Sequence, residues 1–65
     1  MQHIRTLFQD RLTEEVIFSV EDVILPITKG ERLNIDGKQY TAYQVTMHLN
    51  NLETGGKQII ETIWI

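Results

Sequence analysis

The chain has 65 residues, no cysteine, and 6 Lys and Arg against 9 Asp and Glu, for a formal charge of -3. Disulfides and cysteine-ligated zinc are excluded, and the acidic balance opposes attraction to a phosphate backbone, which makes nucleic acid a poor default partner. A chain this short allows one domain, residues 1–65, and buries only about 60% of the surface its unfolded form exposes, so folding is marginal and extra support is expected from packing and association.

No apolar run approaches the roughly 20 residues needed to cross a bilayer. The apolar residues of Met1 to Arg11 are scattered among polar ones and form no signal-peptide core. The sequence is read as cytoplasmic, without membrane attachment, and complete or nearly so.

His3 to Gln9 alternates with period two: Ile4, Thr6 and Phe8 fall on one face, Arg5 and Leu7 on the other. This fits a strand, with a short helical turn as the alternative. Thr13, followed by Glu14 and Glu15, has the look of a helix N-cap, but Val16 to Val20 is β-branched and aromatic, so a turn into a strand is preferred. Val16, Phe18 and Val20 share one face of that strand, and Ile17 interrupts the polar side. Val23 to Ile27 is a further apolar run; Pro26 confines it to an edge, a strand end or a bulge.

The strongest local signal is Asp36-Gly37 between two alternating runs. A type I′ turn needs positive φ at both central residues, which Gly tolerates freely and Asp better than most. Ile35 should therefore pair with Lys38 and Leu33 with Tyr40, placing Leu33, Ile35, Tyr40 and Ala42 on one face. Beyond Ala42 the parity changes: Tyr43, Val45, Met47 and Leu49 occupy odd positions, which a flat strand cannot reconcile with Tyr40 and Ala42. A β-bulge near Thr41 to Tyr43 is expected.

Asn50 to Lys57 is rich in turn residues and predicts a second hairpin. A four-residue loop over Glu53 to Gly56 would place Val45, Met47 and Leu49 with Ile60, Thr62 and Trp64, and His48 opposite Glu61; a three-residue loop would place the same set with Ile59, Ile63 and Ile65. The last strand is apolar enough on both faces to accept either.

These elements predict a mainly β fold, a small five-stranded, partly open SH3-like barrel with little helix. Gly30-Glu31 before the apolar pair Leu33 and Ile35, the Asp36-Gly37 turn, then Tyr40 and Val45, resemble the compact SH3-like barrels of uncharacterised phage and prophage proteins and of many adaptors. The resemblance implies a protein-binding role. The clustered aromatics that peptide-binding SH3 domains use to grip polyproline are missing, so that activity does not carry over.

Catalytic and metal signatures are weak. His3 and His48 are the only histidines, without an HExxH or EF-hand pattern, and cross-strand or solvated roles account for them. Ser19, the only serine, lies in an alternating strand rather than a nucleophile elbow. The glycines are isolated turn residues. No catalytic residue, metal ligand or cofactor is expected, and the chain is read as non-enzymatic.

Interaction residues are more promising. Glu14, Glu15, Glu21 and Asp22 form an acidic rim able to meet a basic partner. Phe8, Phe18 and Tyr40 suit a core, whereas Tyr43 and Trp64 suit a contact surface. Residues 59–65, IIETIWI, form an apolar segment that would aggregate as an open edge. It either pairs with the N-terminal strand or adds to a partner chain. The expected function is thus protein–protein interaction or assembly, with a homo-oligomer anticipated and Tyr43, Trp64, Ile65, Glu14 and Glu15 as contacts. The alternative is a small single-stranded nucleic-acid-binding barrel using Arg5, Arg11, Arg32 and Lys38 beside the tyrosines.

Overall fold

The computed structural model describes residues 2–65, and its six strands follow the alternation of the sequence. They are β1 (Gln2–Gln9), β2 (Val16–Glu21), β3 (Arg32–Ile35), β4 (Lys38–Thr41), β5 (Gln44–Asn51) and β6 (Lys57–Trp64). Four of them form one sheet in the order β2-β1-β6-β5, and β3 and β4 form a separate hairpin. β1 and β6 run parallel, and the other pairs are antiparallel. The described residues contain no helix, and the sheets do not close into a barrel. The expected count of five strands is corrected to six.

The β1–β2 turn is built by Asp10. Its carboxylate Oδ1 accepts from the backbone N–H of Leu12 at 2.7 Å and of Thr13 at 3.2 Å, and its carbonyl accepts from Glu14. Glu14 turns the chain back at φ 63°. Local side-chain acceptors of this kind satisfy turn N–H groups that would otherwise seed a helix. The ladder runs Thr6 to Val20 and Phe8 to Phe18, then shifts so that Gln9 meets Val16, leaving Ile17 as the extra residue of a bulge. That bulge explains why Ile17 breaks the alternation.

Directly opposed residues share a sheet face. Phe8 lies between Phe18 and Ile63, and Ile63 opposite Val45, on the front face. The Phe8 and Phe18 rings stand 5.8 Å apart at 59°. The β3–β4 hairpin covers one end of this face, and Phe8, Ile35, Ala42, Ile63 and Ile65 form the buried core, with Leu25, Ile27, Leu33, Tyr40 and Val45 packed around it. Val23 to Ile27 forms no strand. It joins the two layers, with Leu25 and Ile27 half-buried against the core.

The first hairpin has the anticipated register, Ile35 with Lys38 and Leu33 with Tyr40, and Asp36 and Gly37 sit at φ 52° and 83°. At the parity change the chain does more than bulge. Ala42 still bonds toward β3, donating to Glu31 and accepting from Gly30, while the next residue, Tyr43, donates to Trp64 of the large sheet. One continuous strand is thereby cut in two, with Tyr40 and Ala42 of the first half and Val45 of the second turned to the core.

The second hairpin turns through Leu52 to Gly56 and pairs Val45 with Ile63, Met47 with Glu61, and Leu49 with Ile59. The face shared by Val45, Leu49, Ile59 and Ile63 is that of the shorter-loop alternative, although the loop itself is longer. His48 consequently faces Ile60, not Glu61. β6 is not an open edge: it lies between β1 and β5, and a strand with two neighbours and apolar residues on both faces suits the middle of a sheet.

Candidate interaction surface

β2 is an outer strand, paired on one side only. The bond from the Asp22 N–H to the Ile4 carbonyl sets the antiparallel phase. Alternate residues Val20 and Phe18 therefore bond inward to β1, and the N–H and C=O groups of Ser19 and Glu21 point outward, up to the bulge at Ile17. Such a row is a template for another strand.

The side chains along this edge are unusually apolar for an exposed strand. Val16, Ile17 and Phe18 are all exposed, Phe18 at 43%, and Leu12 and Val23 extend the patch at either end. Beside Phe18 the front face opens into a groove of about 240 Å³ floored by Phe8, Leu25, Leu33 and Ile35, with Asp36 at its margin. The acidic rim brackets the edge. Glu14 and Glu15 precede β2, and Glu21 and Asp22 end it. Asp22, at φ 62°, turns the chain out of the strand. Arg5 Nε lies 2.9 Å from Glu21 Oε1, an exposed pair on the back face.

The expected contact residues distribute unevenly. Tyr43 is exposed and carries the Arg11 guanidinium 4.7 Å from its ring centroid, a cation–π arrangement. Ile65 is 7% exposed and belongs to the core; its N–H donates to Gln9 and its carbonyl accepts from Arg11. Trp64 is half-buried on the back face, where Nε1–H donates to Thr46 Oγ1 at 3.3 Å. Tyr43, Trp64, Ile65 and Arg11 thus meet at one end of the sheet, next to the turn carrying Glu14 and Glu15. Phe18, expected in the core, is instead exposed, and Ile17 and Val23 lie outside the contact set expected from sequence; the break in alternation at Ile17 is the one sequence signal at this edge.

β5 is the other outer strand, with Met47 and Leu49 exposed on its front face but no acidic residue in its span. His3 and His48 lie on different strands, and among the described residues no three His, Asp or Glu side chains converge as a metal site. No helix among those residues is long and apolar enough to cross a membrane. No family model, curated protein or solved structure matches this chain.

Proposed function

We propose that the chain is a non-enzymatic protein-interaction or assembly module, acting by binding another protein or itself. The observation that carries this reading is the β2 edge, where Val16, Ile17, Phe18 and Val23 are exposed although the buried apolar core among the described residues is only five residues. Exposed apolar side chains beside unpaired backbone groups are covered at low cost by another polypeptide. The hairpin packed on an open sheet supports describing the architecture as a partly open variant of the small SH3-like barrel.

The test is site-specific photocrosslinking in expressing cells, with a benzophenone amino acid at positions 17, 43 and 47 in turn, alongside light scattering of the pure chain over a dilution series. Protein adducts, or a mass above the monomer that falls on dilution, are expected. A monomer at every concentration with no protein adduct at any position overturns the proposal. The nucleic-acid alternative is less supported because Arg5 faces Glu21 and Arg11 lies on Tyr43. Salt-sensitive binding to single-stranded DNA or RNA would restore it.

A further inference from the structure

We propose that the β2 edge receives an extended segment of a partner protein whose centre is apolar and whose two ends carry Lys or Arg. This inference rests on the interaction reading above and adds to it the chemistry of the occupant and the way it binds. Ser19 and Glu21 offer two consecutive outward sets of N–H and C=O groups, a seat for a short strand held by main-chain bonds. The side chain placed opposite Phe18 on the front face meets the groove over Phe8, Leu25, Leu33 and Ile35. An apolar residue is required there.

Charge selects the ends. Glu14 and Glu15 stand at one end of the edge, Glu21 and Asp22 at the other, and Asp36 at the groove margin. Of the cations near these five carboxylates, Arg5 is already on Glu21, Arg11 lies over the Tyr43 ring, and Lys38 follows the Asp36-Gly37 turn. A second copy of this chain fits poorly. The antiparallel register centred on Ser19 sets Val16 of one copy opposite Asp22 of the other and brings Glu15 next to that Asp22. Both ends of such a dimer would crowd like charges. Basic ends on a partner convert the same positions into attractive pairs.

The experiment titrates the full chain, labelled with ¹⁵N, with two synthetic peptides, KKVTVTVKK and EEVTVTVEE. The lysine peptide is expected to shift the amide resonances of Ser19 and Glu21 and to slow their hydrogen exchange. The glutamate peptide should bind at least about tenfold more weakly, since several exposed pairs of modest individual strength act together. Ser19→Pro removes one outward donor without touching the β1 ladder, which an edge position tolerates. It should abolish the shifts while the far-ultraviolet dichroism stays that of the parent. The double change Glu14→Lys with Glu15→Lys should narrow or reverse the preference between peptides.

No change at the β2 amides, changes confined to β5, or equal binding of the two peptides overturns the inference. A dimer whose protected amides map to β2 also overturns it, while upholding the broader interaction reading. Failure of both the peptide titration and the crosslinking experiment removes the two together.

Discussion

Thr6 on β1 and Glu61 on β6 are 55 positions apart in the chain, yet Thr6 Oγ1 lies 2.9 Å from Glu61 Oε1, both in the buried interior. The same hydroxyl is 2.8 Å from the Val23 carbonyl, and the same carboxylate oxygen accepts the Leu25 N–H at 2.9 Å. These two side chains tie the connection after β2 to the central strands of the sheet. The crossing segment lacks a ladder partner of its own, so its polar groups depend on them.

Removing either partner exposes that dependence. Glu61→Ala leaves the Leu25 N–H without its acceptor and is expected to lower stability by about 2–4 kcal/mol. Glu61→Gln keeps an oxygen able to accept at the same place and should cost about 1 kcal/mol or less. Thr6→Val, which fills the same volume, should cost about 1–3 kcal/mol. Urea denaturation of the three variants measures the order.

Trp64 offers a second check, because its role divides into ring and N–H. Trp64→Phe retains much of the apolar body and loses the bond to Thr46, for an expected cost of about 0.5–1.5 kcal/mol. Trp64→Ala also gives up apolar area and should cost about 2–3 kcal/mol. Both variants should keep their binding to a partner at β2 once folded, since Trp64 lies on the back face at the opposite side of β1. Thermal melts and the lysine-peptide titration together test this.

The β3–β4 turn depends on backbone conformation. Gly37, at φ 83°, donates to Asn34 Oδ1 at 3.0 Å. Nothing crowds the place where a side chain would project, so Gly37→Ala should cost about 1–2 kcal/mol from the left-handed backbone alone. Asp36→Asn should be neutral or slightly favourable, because Asn suits the first position of this turn. Gly37→Ala should lower the melting temperature, and Asp36→Asn should leave it unchanged or raise it slightly.

Truncation tests the strand order. Deleting residues 59–65 removes the partner of both β1 and β5 together with Ile63 and Ile65 of the core. The shortened chain is expected to lose its cooperative unfolding transition, whereas losing a dispensable outer strand would leave a folded core. Calorimetry distinguishes the two.

Local chemistry was sufficient to determine the Asp36-Gly37 hairpin and its register, since positive φ at two adjacent positions decides both without reference to the rest of the chain. It also indicated strands at β2, β5 and β6, left β1 between a strand and a short helical turn, and flagged Ile17 and the Ala42–Tyr43 step as irregular. What those irregularities meant was decided by tertiary structure. The parity change after Ala42 became a passage between two sheets because Glu31 and Trp64, far apart in sequence, each supply the backbone partner of one side of the step. Likewise, β6 took the central place because its parallel pairing with β1 closes a connection of nearly the whole chain, which no turn signal announces. Burial of Glu61 followed from that placement: a carboxylate can stay inside only where Thr6 and the Leu25 N–H are brought to meet it, and only the folded sheet brings them there.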